Sequence, residues 1–312
     1  MDEIRLTTAD DAYPEALRRI ADPPRTLHLR GALAGELSSG RPWPSAIAIV
    51  GSRDATAYGL AVARDLGRRL AEAGIVVLSG LAVGIDAAAH RGALEAGGLT
   101  CAVIGCGTDV DYPRTNARLR EEILASGFVI GEHSPGTPAL AHHFPTRNRI
   151  LSALSLGVVV VEATLRSGSM STARHALEQG REVFAVPGPV SSPRSRGPHW
   201  LLKQGAKLVE RVEDVLAEIP SVAREAGRPG ATGPASARSR PASDVFAAIA
   251  EGVATPDAIA LHLGRDVPDV LRELLQLEVR GDVVRGASGG FAAARAVEAP
   301  RRVESDDPRA GG

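Results

Sequence analysis

Short apolar runs alternate with longer amphipathic stretches over residues 45–219. The apolar runs cover residues 46–50, 75–78, 100–104, 128–131, 158–161, 183–186 and 207–209, and they predict strands. The stretches between most of them have the length and spacing of helices, including 59–73, 85–96, 114–125 and 145–155. Because unbroken β-branched runs suit strands that are buried on both faces, the pattern predicts an α/β fold with a parallel sheet.

The segment 157–188 carries the strongest local signal, a strand, a polar loop, a helix and a further strand. Ser167, Gly168, Ser169 and Ser171 lie where this helix begins. Hydroxyls and unsatisfied backbone N–H groups meet there, at the positive end of the helix dipole. The pattern therefore predicts an anion site, with phosphate as the best ligand. A capped helix without a ligand is the alternative interpretation.

Small residues and arginines also follow other predicted strands. Gly51, Ser52 and Arg53 follow the first strand, and Ser79 and Gly80 follow the second. Ligands of open parallel sheets bind beyond the carboxyl ends of the strands, where such residues let backbone N–H groups approach closely. Three more arginines, Arg114, Arg147 and Arg149, begin predicted helices and supply forked phosphate donors. Together these residues predict a phosphate track.

Composition narrows the function classes. A formal net charge of −1 gives no global attraction to nucleic acid, so a polyanion site must come from local clustering. The sequence has no metal-ligand spacing, no GxxxxGK[ST] loop and no Ser–His–Asp order of a known type. These absences favour binding over catalysis and predict no metal or other cofactor. Cys101 and Cys106 flank one predicted strand, so we expect buried free thiols.

The chain after residue 219 has a different organisation. Residues 220–241 lack Leu, Ile and Phe and predict a flexible linker, whereas residues 242–294 predict three short helices and two strands, the order of a winged helix. The last helix places Val267, Val270, Leu271, Leu274 and Leu275 on one face, which predicts core. Its other face carries Arg272, Glu273, Gln276 and Glu278, and this mixed charge favours protein contact over DNA recognition.

Outside these two parts, residues 1–44 are interpreted as a lead-in and residues 295–312 as a disordered tail. Residues 45–219, which carry the alternating strands and helices, are expected to form one domain. The N-terminus has no basic-then-apolar leader, and no apolar run approaches the ~20 residues of a membrane span. We therefore expect a cytoplasmic protein without a membrane partner.

Four motifs in order resemble the DNA-processing protein A family, also called DprA or Smf. They are IVGSRDATAYG (49–59), LSGLAVGIDAAAH (78–90), HHFPTRNRILSALS (142–155) and RSGSMSTARHALEQGREVFAVPG (166–188). The resemblance implies an extended Rossmann-like, doubly wound parallel sheet that binds single-stranded DNA. It also implies a homodimer that protects incoming DNA during natural transformation and helps to load the RecA recombinase. By motif position, Arg53 corresponds to the GSR arginine, and Arg147, Asn148 and Arg149 to the FPxRNR group.

The predicted single-stranded DNA site combines the pattern and the resemblance. Its members are Gly51, Ser52, Arg53, Ser79, Gly80, Arg114, His143, Phe144, Arg147, Asn148, Arg149, Ser167, Gly168, Ser169 and Ser171. Phe144 is the one aromatic residue expected to contact a base, with anchoring of its loop as the alternative. Trp200, Leu201 and Leu202 form an apolar cluster in the region that resembles the family's self-association surface.

Two other functions compete with this prediction. Related Rossmann-like sheets hydrolyse nucleoside monophosphates, but their loop PGGxGTxxE is replaced here by SGSMST over residues 167–172, with no glutamate in the corresponding place. The second alternative is a regulator that binds duplex DNA through the winged helix. The mixed charge of the last helix weakens it.

Overall fold

The computed structural model describes residues 3–219, 244–250, 253–279, 283–285 and 290–293. The chain divides into two compact units, residues 1–231 and residues 232–312. The predicted linker 220–241 and the predicted tail 295–312 lie outside the described residues. No helix among the described residues is long and apolar enough to cross a membrane.

A nine-stranded sheet organises the first unit. Its strands are β1 (Ile4–Thr7), β2 (Thr26–Arg30), β3 (Ala46–Val50), β4 (Val76–Ser79), β5 (Thr100–Ile104), β6 (Phe128–Gly131), β7 (Gly157–Val160), β8 (Glu182–Ala185) and β9 (Lys207–Leu208). Their spatial order is β1-β2-β6-β5-β4-β3-β7-β8-β9, and all neighbours from β6 to β9 are parallel. The predicted α/β fold class is confirmed.

Helices cover both faces of this sheet. They are α1 (Glu15–Arg18), α2 (Ala34–Ser38), α3 (Ala57–Glu72), α4 (Ile85–Glu95), α5 (Ala117–Ser126), α6 (His143–Ala153), α7 (Gly168–Glu178), α8 (Arg196–Lys203) and α9 (Val212–Ala217). Every residue of β3, β4, β5, β6 and β7 is buried. Residues that alternate along a strand pack into cores on opposite faces, as Ile47 and Ala48 do. This explains why the strands are continuous apolar runs.

The sequence pattern predicts a parallel sheet, but the observed sheet is only partly parallel. β1 pairs antiparallel with β2, and β2 pairs antiparallel with β6. Residues 1–44 therefore contribute two strands to the same sheet rather than a lead-in alone. Leu27 and Leu29 of β2 are fully buried, but their alternation with polar residues over one short run gave too weak a signal to predict a strand.

The second unit contains α10 (Asp244–Ala250), α11 (Pro256–Leu263), α12 (Val267–Val279), β10 (Val283–Arg285) and β11 (Phe291–Ala293), and the two strands pair antiparallel. Its core includes Val270, Leu274 and Leu277. The prediction that Leu271 and Leu275 also belong to this core is wrong, because Leu275 is 55% exposed and Leu271 is exposed as well. The side chains of Arg272, Gln276 and Glu278 lie outside the described part of the chain.

Candidate phosphate-binding site

The order of strands reverses between β3 and β7. From β3 the chain adds β4, β5 and β6 on one side, and it then returns to place β7 on the other side of β3. Such a switch point opens a crevice at the carboxyl ends of the two strands, where ligands of open α/β sheets bind. Gly51, Ser52 and Arg53 follow β3, and the loop to α7 follows β7. The two predicted phosphate loops therefore face one crevice.

Hydrogen bonds fix the two loops against each other. Ser169 Oγ donates to the carbonyl oxygen of Gly51 over 2.8 Å, which ties the first turn of α7 to the end of β3. Ser167 caps α7, since its hydroxyl accepts the backbone N–H of Ser169 at 3.3 Å. Gly51 has no room for a side chain, because a Cβ there would lie 2.6 Å from Cγ1 of Ile85. The loops are thus held close by small residues.

A pocket of about 670 Å³ occupies the crevice. It is lined by nine of the predicted residues, namely Gly51, Ser52, Arg53, Phe144, Arg147, Asn148, Ser167, Gly168 and Ser169. They come from the end of β3, from α6 and from the start of α7, three segments that are far apart in the sequence. The volume falls in the range of small-ligand pockets, so the crevice can hold a nucleotide-sized group.

Arg53 is the exposed cation of this pocket. Among the described residues, no carboxylate lies within ion-pair distance of its guanidinium. The guanidinium carbon instead lies 5.6 Å from the centre of the Phe144 ring. The other charges of the lining have protein partners, since Asp54 pairs with Arg194 and the charge of Asp86 faces that of Arg147. Arg53 is therefore well placed to attract an anion into the crevice.

Arg147 lies deeper and is almost fully buried. Its Nη1 donates to the carbonyl oxygen of Val103 in β5, while its Nε is buried without a partner in the described part of the chain. A Cβ at Gly80 would lie 2.5 Å from Nη2 of Arg147 and 2.7 Å from Oδ2 of Asp86, so these two charged groups meet at the bare glycine. Asp86 is held there by the backbone N–H of Gly80 at 3.0 Å.

Burial changes the proton affinities of this buried pair. It raises the pKa of Asp86, an effect opposed chiefly by the charge of Arg147. Burial also lowers the pKa of Arg147 to about 10, with the charge of Asp86 acting in the opposite direction. The guanidinium therefore stays protonated at neutral pH. The charge of Arg147 thus lies at the floor of the pocket opposite that of Asp86, and Arg53 supplies the positive charge at the rim.

Asn148 connects α6 with α7. Its side-chain nitrogen donates to the carbonyl oxygen of Gly168 at 3.2 Å and to Oγ of Ser171 at 3.1 Å. Asn148 also lines the pocket, so it both contacts the crevice and holds the serine-rich loop in place. Ser171 does not line the pocket, because its hydroxyl lies on the side of α7 that faces α6.

The structure does not bring all the predicted residues to the pocket. Ser79 is fully buried and donates to the carbonyl oxygen of Ile49 at 2.6 Å. Gly80 lies behind the lining, where it makes room for Asp86 and Arg147. Arg114 is exposed in the 3₁₀ turn Arg114–Asn116, outside the lining. His143 stacks on the ring of His133 at 3.9 Å and also lies outside the lining.

Arg149 also lies outside the lining of this pocket. Its guanidinium donates to Glu132 at 2.7 Å and to Asp22 at 3.0 Å, so two carboxylates already neutralise it. Positions 147 and 149 differ by about 200° around a helix, which turns their side chains to opposite sides of α6. Arg149 joins α6 to the N-terminal segment through Asp22.

Sequence reasoning missed several residues of the lining. Tyr112 and Asp54 are exposed members of this group, and Thr164 and Thr172 add hydroxyls near the start of α7. Tyr112 lies in the loop after β5, at the carboxyl end of the sheet, which was the signal that could have identified it. Asp86 also lines the pocket; as the sequence alone had suggested, it begins a helix.

Comparison with known proteins assigns the family. The model of the family described as DNA recombination-mediator protein A matches residues 5–220, more than half of the chain. The chain belongs to this family. A second family model, the DprA winged helix domain, matches residues 229–289. The resemblance predicted from the four motifs is thus confirmed.

Individual relatives agree with this assignment. The chain is 41% identical over 292 residues to Protein Smf of Escherichia coli K12, covering 92% of this chain and 76% of that protein. The X-ray structure of DNA processing protein A from Streptococcus pneumoniae is 44% identical, with a TM-score of 0.65, over 69% of this chain and 74% of that one. The DNA processing protein A of Helicobacter pylori, described for its single-stranded DNA binding mode, is 30% identical with a TM-score of 0.61, over 70% of this chain and 96% of that one.

Proposed function

We propose that this recombination-mediator family member binds single-stranded DNA in the crevice between β3 and β7 and that it is not an enzyme. The observation that carries the proposal is the meeting of exposed Arg53, buried Arg147 and the N-terminus of α7 around one pocket. Backbone N–H groups, hydroxyls and guanidinium groups are the donors that proteins use for phosphate. The single-stranded DNA binding of the H. pylori relative supports the same ligand.

The proposed site is suited to phosphates more than to base edges. Its donors are backbone groups, serine hydroxyls and arginines, while aromatic residues make up only 3% of the chain. Phosphate contacts fix the position of a strand without reading its sequence. Phosphate contacts also release counterions from the DNA. The logarithm of the binding constant therefore falls with the logarithm of the salt concentration, with a slope proportional to the number of phosphates bound.

We therefore expect affinity for mixed-sequence oligonucleotides to vary little with sequence and to fall steeply with salt. The test is a titration of single-stranded and duplex DNA at several salt concentrations, with fluorescence anisotropy as the readout. Equal affinity for the two forms would favour the winged helix as the DNA-binding part. A shallow salt dependence, or a strong preference for one short sequence, would contradict a phosphate-directed site.

Self-association belongs to the same proposal and is assigned to the edge of the sheet at β9. Leu201 of α8 is buried in the core, and Leu202 packs against that core. Trp200, by contrast, is 46% exposed, and Leu208 of the edge strand β9 is exposed as well. Large apolar side chains on an open sheet edge suit a contact between two copies of the chain.

We expect Trp200→Glu to convert dimers into monomers without unfolding, because the indole is not part of the core and a carboxylate in the interface would lack a partner. Sedimentation velocity measures the oligomeric state, and circular dichroism measures the fold. Leu177→Glu is the matched control, since Leu177 is also an exposed large apolar residue but lies on α7. Monomeric wild type, or an unfolded Trp200→Glu variant, would refute this assignment.

The RecA recombinase is the second proposed partner, in line with the recombination-mediator family. Its recruitment would couple the bound single strand to strand exchange. The direct check is the rate of RecA filament formation on single-stranded DNA with and without the protein.

A further inference from the structure

Three side chains from separate segments lie against one another at the rim of the pocket, and we call them the Arg53–Phe144–Tyr112 stack. The Tyr112 and Phe144 rings have their centres 5.2 Å apart with an angle of 34° between the planes. The guanidinium carbon of Arg53 lies 5.6 Å from the centre of the same Phe144 ring. Phe144 is thus the middle member of an Arg53–Phe144–Tyr112 stack, and all three side chains line the pocket.

Tyr112 and Arg53, the two outer members of the stack, are exposed to solvent. Tyr112 is 39% exposed and Arg53 is exposed, whereas Phe144 is only partly exposed between them. An aromatic ring left this open at a pocket lined by polar groups has apolar surface that a ligand could cover. Both a tyrosine ring and a guanidinium plane stack well on the flat face of a nucleobase.

We propose that the Arg53–Phe144–Tyr112 stack is a platform for one unpaired nucleobase, with Tyr112 as the principal stacking residue. This inference rests on the proposed function, and it adds a contact to the base where the rest of the site contacts phosphate. Arg53 takes part in both, because it lines the anion site while its guanidinium carbon lies 5.6 Å from the centre of the Phe144 ring. The ligand class is then a strand with at least one unstacked base.

The platform also accounts for discrimination against duplex DNA. In a duplex each base is paired and stacked between its neighbours, and unstacking it costs free energy. In a single strand the base faces are already available at little cost. Phosphate contacts alone distinguish the two forms less well, because both forms carry a phosphate backbone. Tyr112 is therefore a residue that determines specificity for single strands.

The experiment compares a thymidine 12-mer with a 12-mer of the same charge in which every base is removed. For the wild type we expect the abasic strand to bind more weakly by about 5- to 150-fold, the range for one stacked base. Tyr112→Ala and Tyr112→Leu should lose most of this preference by weakening the thymidine strand alone. Tyr112→Phe should keep it.

Tyr58→Ala is the control, since Tyr58 is also exposed but lies outside the pocket lining and donates to Pro187. Equal binding of the two strands by the wild type would overturn the platform while leaving the phosphate site intact. Equal losses for both strands in Tyr112→Leu would likewise overturn it, by assigning Tyr112 a purely structural role. Failure of both strands to bind the wild type would instead refute the proposed function.

Discussion

Arg53→Ala is expected to weaken binding of single-stranded DNA by about 1 to 3 kcal/mol, the worth of a charged hydrogen bond to phosphate. The effect should be this large because Arg53 has no carboxylate partner among the described residues and lines the pocket beside the start of α7. Binding should also become less dependent on salt, since one phosphate contact is lost. Fluorescence anisotropy with a labelled oligonucleotide at several salt concentrations measures both quantities.

Arg118→Ala provides the matched control for this experiment. Arg118 is almost fully exposed, lies on α5 outside the pocket lining and pairs with Glu122 on its own helix. The Arg118→Ala substitution removes the same charge from the protein without changing the site. If the two variants lose equal affinity, general electrostatic attraction explains the effect, and Arg53 has no specific role.

The sheet and the position of its ligand site could be predicted from the sequence because both depend on local patterns. The run Ala46–Val50 is a strand in the structure with the same bounds that its apolar residues predicted. The residues directly after it, Gly51 to Arg53, lie in the pocket because strand ends in a parallel sheet share one edge. Small residues next to a strand end thus carry information about function.

Orientation around a helix was harder to predict. Arg147 and Arg149 belong to one motif, yet one faces the pocket and the other faces Glu132. Leu271 and Leu275 extend the apolar stripe of α12, yet both are exposed. In each case the packing partners of the helix decide which side is buried, and the sequence of the helix alone does not identify these partners. The stack of Tyr112 on Phe144 required the same tertiary information.

The largest stability effect is expected from His90, which is fully buried in α4. Its Nδ1 lies 2.7 Å from Oγ1 of Thr100, and that hydroxyl donates to the carbonyl oxygen of Val77. The hydroxyl must therefore accept from Nδ1–H, so Nε2 carries no proton in the neutral ring. Nε2 is buried without a hydrogen-bond partner in the described part of the chain. A second proton would place an unpaired charge in the core.

Burial, helped by the charge of Arg147, accordingly lowers the pKa of His90 from its ordinary value of 6.5 to about 3. The unfolded chain binds this proton below pH 6.5 and the folded chain does not, so stability from His90 is complete above that pH and is lost on acidification. The loss is about 1.4 kcal/mol at pH 5.5 and about 2.7 kcal/mol at pH 4.5, at 1.36 kcal/mol per pH unit.

Urea unfolding of the wild type and of His90→Gln, from pH 7.5 to pH 4.5, isolates this contribution from that of the carboxylates. At pH 7.5 the variant should be the less stable protein, because glutamine fills the histidine site imperfectly. The difference in free energy of unfolding should then shrink by about 2 to 3 kcal/mol as the pH falls, since only the wild type retains the titrating group. A constant difference between wild type and His90→Gln would mean that His90 accepts its proton within the folded core.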